Sequence, residues 1–129
     1  MSGRDHFDVL VIDDSDIARA AMMRALTQAG FDVLDLPSPI GATRSIVRHE
    51  VRLVVIDINM PSMRGDKLAA LFRNNDRLRE LKLVLVSGTE PDRLSKLAEE
   101  VGADGVVAKS AGGDALVAMV RQLIEVRRR

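Results

Sequence analysis

The chain has 129 residues with 19 basic and 19 acidic side chains, no cysteine, and only Phe7, Phe31 and Phe72 as aromatics. That length suits one domain burying roughly two-thirds of its unfolded surface, and the lack of cysteine excludes thiol chemistry and a disulfide framework. Zero net charge, few stacking rings and no apolar stretch near the ~20 residues of a membrane span argue against direct nucleic-acid binding and a membrane anchor.

Met1 to Phe7 lacks the apolar core of a signal peptide, so the expected location is cytoplasmic. Asp8 then opens onto Val9, Leu10, Val11 and Ile12, an apolar run without alternation, as expected of a strand covered on both faces. It ends in Asp13, Asp14, Ser15 and Asp16. From Asp16 the spacing becomes helical, with Ile17, Ala18, Ala21, Met22, Ala25, Leu26 and Ala29 on one stripe and Gly30 as the stop. Met22 and Met23 read as core filler. Phe31 to Leu36 reads as a strand, and Pro37 and Pro39 punctuate the loop after it. A helix from about Ile40 to His49 is expected to turn Ile46 and Val47 inward.

Leu53, Val54, Val55 and Ile56 form a third unalternating run, closed by one carboxylate, Asp57, before Pro61 and Gly65 break the chain. An Asp here can simply cap a turn, but the C-terminal tip of a central strand is also where open α/β sheets hold their chemistry. Leu68, Ala69, Leu71 and Phe72 make the next helical stripe, ended by Asn74, Asn75 and Asp76. Leu81 to Val86 is a fourth strand that delivers Ser87, Gly88 and Thr89. Pro91 suits the first turn of a helix burying Leu94, Leu97, Ala98 and Val101 and stopping at Gly102. Gly105 to Ala108 is the fifth strand, with Lys109 at its tip, and Leu116, Met119, Val120, Leu123 and Ile124 mark the last helix. Arg127, Arg128 and Arg129 either complement that helix's dipole or begin a tail read by a partner. Strand and helix alternate five times, which predicts an α/β domain with a parallel sheet between helices.

In a parallel sheet all strand C-termini share one edge, so Asp13, Asp14, Asp57, Ser87 and Lys109 converge there. Three close carboxylates repel, and a hard cation with oxygen ligands, Mg²⁺, resolves this. His6 and His49 are isolated, expected to be solvated, and do not suggest zinc. A metal, a carboxylate nucleophile, a lysine and a hydroxyl are the parts for phosphoryl transfer. No GxxxxGK[ST] loop is present, so ATP is not the expected donor.

VLVIDDS with Asp13 and Asp14, VVIDINMPSMRG with Asp57, LVLVSG with Ser87 and GADGVVAKS with Lys109 together resemble the response regulator receiver domain of two-component signalling, from about Asp8 to Val126. The resemblance implies a flavodoxin-like (βα)5 doubly wound sheet of order 2-1-3-4-5, one receiver unit over 1–129 with no output domain, and no enzyme activity beyond its own phosphorylation and dephosphorylation. It implies that Asp57 accepts a phosphoryl group from a sensor histidine kinase or phosphotransfer protein. Asp14, Asp57 and the Asn59 carbonyl would hold Mg²⁺, Asp13 would act through a metal-bound water, Lys109 would pair with the phosphoryl group, and Ser87 would hydrogen-bond it. Output would pass through the last two helices and the strand between them to a downstream protein or a homodimer partner.

Asn59 and Thr89 flank the site and imply self-dephosphorylation that is not especially slow. The exposed side of the first helix, with Ile17, Arg19 and Met23, is where kinase choice is expected to be read. The chain departs from the family at three positions: Val106 stands where a swinging Tyr or Phe is usual, Ser110 follows Lys109 where a cis proline is common, and Arg64 replaces an acid. A cis bond before a residue other than proline costs about 3 kcal/mol, so a trans bond is expected at Ser110. Two other functions fit parts of the pattern. A haloacid-dehalogenase-like phosphatase would use Asp14 and Asp16 as an Asp-x-Asp but leave Asp57 idle, and an interaction module working unphosphorylated would leave the acidic pocket idle.

Overall fold

The unalternating apolar runs become the centre of one sheet. The computed structural model describes residues 6–88 and 91–126, without the side chain at 91; Thr89 and the Arg127, Arg128 and Arg129 cluster lie outside the described residues. Five strands, β1 (Val9–Ile12), β2 (Val33–Leu36), β3 (Leu53–Asp57), β4 (Lys82–Ser87) and β5 (Gly105–Ala108), pair in parallel in the order β2-β1-β3-β4-β5. This is the doubly wound order expected. Helices α1 (Asp16–Gln28), α2 (Ala42–His49), α3 (Gly65–Arg73), α4 (Pro91–Val101) and α5 (Gly112–Leu123) follow the strands in turn.

The strand period of two splits the apolar residues between two cores. Val9, Val11, Leu53, Val55, Val84 and Val86 meet Met22 and Leu26 of α1 and Leu116 and Val120 of α5. Leu10, Ile12, Val54, Ile56, Leu83 and Leu85 meet Ile46 of α2, Leu68 and Phe72 of α3, and Leu94 of α4. Covered on both sides, β1 and β3 are wholly buried, whereas the edge strand β2 is only half-buried. Asp57 continues the Leu53 and Val55 phase, toward α1 and α5.

Several expectations about individual positions fail. The strand expected from Phe31 starts at Val33, because Phe31 completes the end of α1: Gly30 takes φ 101, and the Phe31 N–H donates to Leu26 O at 3.1 Å. That is a Schellman closure, which uses the amide a strand would need. Ile17 is 86% exposed because α1 begins just beyond the tip of β1 and its first turn overhangs the sheet. Val47 and Leu71 are exposed at 37% and 56%; each lies beside the buried arc of its helix rather than on it. The last helix stops at Leu123, leaving buried Ile124 in extended conformation. The described peptide bonds are all trans, Lys109 to Ser110 included.

Candidate functional site

The carboxylates, the hydroxyl and the ammonium meet at the C-terminal edge of the sheet. Asp57 ends β3, where its partner in register is Val86 of β4, and Ser87 follows as the partner of Ala108 of β5. Asp13 leaves β1 with its N–H on Leu36 O of β2. Asp13, Asp57 and Ser87 are buried, Asp14 and Asn59 are exposed, and the Lys109 side chain is partly exposed. One carboxylate oxygen each from Asp13, Asp14 and Asp57 lies within 4.8 Å of the others.

Lys109 Nζ stands 3.1 Å from Asp13 Oδ2 and 3.5 Å from Asp57 Oδ1. Asp13 Oδ1 accepts from the Ser15 N–H, while the buried Oδ2 faces the ammonium without a well-aimed hydrogen bond. Asp57 Oδ1 accepts the Asn59 N–H at 3.2 Å, and Asn59 Nδ2 donates to Ser87 Oγ at 3.1 Å. Burial, then the charge of Asp13, raise the pKa of Asp57, against the opposing pull of the Asn59 N–H and Lys109. For Lys109, burial alone would lower the pKa, but Asp13 and Asp57 outweigh it and the net shift is upward.

One ammonium does not balance three carboxylates. The donor set is all oxygen, one buried carboxylate oxygen lacks a good donor, and Asp57 is held in a place that disfavours its charge. Those are the conditions a small hard cation relieves, so the residues fit Mg²⁺. The histidines have no part in it. His6 Nδ1 pairs with Glu50 at 2.7 Å, and His49, expected to be solvated, is half-buried edge-on to Phe7 with its Nδ1 enclosed and unbonded.

The response regulator receiver domain model matches residues 9–121. The chain belongs to this family. As a receiver it is 32% identical over 119 residues to the transcriptional regulatory protein PrrA of Mycobacterium bovis, covering 92% of this chain and 50% of that protein. It is 27% identical over 120 residues to the transcriptional regulatory protein CseB of Streptomyces coelicolor, covering 93% and 50%. The chain thus spans about half the length of these relatives. Its fold is shared with the Vibrio cholerae chemotaxis protein CheY4, at a TM-score of 0.82 and 22% identity over 92% of this chain and 99% of that one. A response regulator from Thermotoga maritima gives 0.79 and 24%, over 92% and 98%. The family match disfavours the phosphatase alternative.

Of the site residues read from the sequence, Asp13, Asp14, Asp57, Asn59, Ser87 and Lys109 reach this edge of the sheet, and Thr89 lies outside the described residues. The sequence reading missed what ties them together, the Lys109 pair with Asp13 and the Asn59 link to Ser87. It also misread Arg19, which was expected on an exposed recognition face. The Arg19 side chain is only 14% exposed and is bonded to Asp13 O, Asp16 and Asp35. The acid three positions before it was the only visible signal. Met23 of the same expected face is half-buried. Among the described residues no helix is long and apolar enough to cross a membrane.

Proposed function

We propose that this receiver takes a phosphoryl group from the phosphohistidine of a sensor histidine kinase or phosphotransfer protein onto Asp57, with Mg²⁺ as cofactor. The observation that carries the reading is the convergence of Asp57, Asp13, Asp14 and Lys109 at one strand edge. Asp14, Asp57 and the Asn59 carbonyl would hold the cation, and Asp13 would reach it through water. Bound there, Mg²⁺ supplies positive charge that offsets the carboxylates and the incoming phosphoryl oxygens.

Asp57 Oδ1 is engaged by Asn59 and Lys109, whereas Oδ2 has no hydrogen bond to a described residue, so Oδ2 is the nucleophile. It attacks phosphorus in line. An O–P bond forms as the P–N bond of the donor breaks, and the electron pair returns to the imidazole nitrogen. Lys109 shifts from the carboxylates to the new phosphoryl oxygens, and Ser87 Oγ, already tied to Asn59, turns to donate to one of them. Val106 offers no ring to swing, so the change travels through displacement of α4, β5 and α5, and alters the surface seen by a downstream protein or a second copy.

Intact mass after incubation with acetyl phosphate and Mg²⁺ tests this on the wild type and Asp57→Ala. One added phosphoryl group, lost in the variant and with EDTA, is the expected result. No gain in folded protein at saturating Mg²⁺ would leave the unphosphorylated interaction module as the better reading.

A further inference from the structure

The acidic edge is built on a loop, and a loop must be held. The turn from Asp13 to Ser15 carries two of the three clustered carboxylates, yet it contributes no strand pairing of its own beyond the Asp13 N–H to Leu36 O bond. Ser15 caps α1 by accepting the Ala18 N–H at 3.2 Å. Lys109 pairs with the Asp13 carboxylate from β5, while the backbone of the turn is tied to its surroundings by Arg19. Arg19 Nη1 donates to Asp13 O at 2.7 Å, Nε to Asp35 Oδ2 on β2 at 2.8 Å, and Nη2 to Asp16 Oδ1 at 2.6 Å. The hydrogen bonds to Asp16 and Asp35 raise the Arg19 pKa further above its already high ordinary value.

The planar guanidinium spends donors in three directions, to the loop backbone, the neighbouring strand and its own helix. Lysine, with one nitrogen, cannot hold the same three acceptors in that fixed fork. Asp13 is bonded at its N–H to β2 and at its carbonyl to Arg19, so Arg19 fixes the peptide plane that leads from Asp13 into Asp14 and sets where the Asp14 carboxylate leaves the backbone. We infer that Arg19 is a positioning residue for the acidic pocket, orienting the Asp13 to Ser15 turn so that its carboxylates can share one divalent cation with Asp57. The inference rests on the proposal that the pocket binds Mg²⁺. Residues that orient metal ligands from behind typically change affinity by about 10–100-fold when replaced.

Charge and geometry make opposite predictions here, which gives the test its force. Removing the Arg19 cation leaves the site more negative, so electrostatics alone would tighten Mg²⁺ binding in Arg19→Met. Loss of positioning would weaken it. The chain has no Trp, so Mg²⁺ titrations are followed by amide chemical shifts on wild type, Arg19→Met and Arg19→Lys, with thermal unfolding of each measured alongside. The expected result is a Kd raised about 10-fold in both variants. Tighter binding in Arg19→Met with no change in Arg19→Lys would overturn the inference in favour of a simple counter-charge. Unchanged Kd in both, with lower melting temperatures, would reduce Arg19 to a structural tie. If Arg19→Met does not fold, Arg19→Lys, which keeps the charge and loses the fork, decides alone. A wild type that binds no Mg²⁺ defeats the metal reading itself.

Discussion

Asp57 is a carboxylate held where its charge is disfavoured, first by burial and then by Asp13 beside it. A raised folded-state pKa means that the native protein binds the proton more tightly than the unfolded chain, whose Asp titrates near about 3.9. Stability is therefore lost as pH rises through the window between that value and the raised one, and the penalty is complete once pH is above the raised value. Asp57→Asn removes the charge while keeping the shape. The variant is expected to melt several degrees above wild type at pH 7 without metal, with the gap closing as pH falls toward about 4. Equal melting temperatures across that range would mean that Lys109 fully compensates the buried charge. Asp57 could be read from the sequence because a parallel strand advertises its tip, but its pKa could not. That depends on burial, Asp13 and Lys109, which come together only when β1, β3, β4 and β5 have paired, and the Arg19 bond to Asp35 likewise waits for α1 to pack beside β2.

Elements were legible to the extent that a single period governed them. The five strands and five helices stand close to where hydrophobic spacing put them, most closely for β1 and β3, whose burial on both faces of a parallel sheet leaves an unambiguous pattern. Errors gathered where a second local rule competed: Phe31 went to a helix closure, and Ile17, Val47 and Leu71 lie on turns or arcs the sheet does not cover. Gly65 shows how an element sets the site. A Cβ there would press on the Asp57 carbonyl oxygen and lie 2.8 Å from both the carbonyl carbon and Ile56 Cγ2. In an open helix Gly→Ala gains up to about 1 kcal/mol, but here the obstacle is backbone of a buried strand, which cannot move aside. Gly65→Ala is expected to lose roughly 1–3 kcal/mol in urea unfolding and to slow Asp57 phosphorylation as well, since the strand tip must shift. A stabilised variant with full acceptor activity would show that α3 can retreat from β3 freely.

At the scale of the whole molecule, the proposed cation ligands belong to different strands. Asp13 and Asp14 follow β1, Asp57 ends β3 with Asn59 two residues beyond it, and the balancing Lys109 follows β5, with β4 lying between β3 and β5. Separating the central strands destroys the site, so Mg²⁺ is expected to bind the native state and not the unfolded chain. Binding then stabilises the entire cooperative unit by RT ln(1 + [Mg²⁺]/Kd), about 2.7 kcal/mol at a hundred times Kd. For a domain of this size that corresponds to a rise in Tm of roughly 8 °C. The urea midpoint should rise with the slope unchanged, because the surface exposed on unfolding is the same. Hydrogen exchange separates this from a local effect: amides of β1, β3 and β4 should slow together on adding Mg²⁺, since they open only by global unfolding. Slowing confined to the Asp13 to Ser15 turn would mean that the cation orders a loop without engaging the strands. In that case the convergence of carboxylates at the sheet edge would not be the binding site.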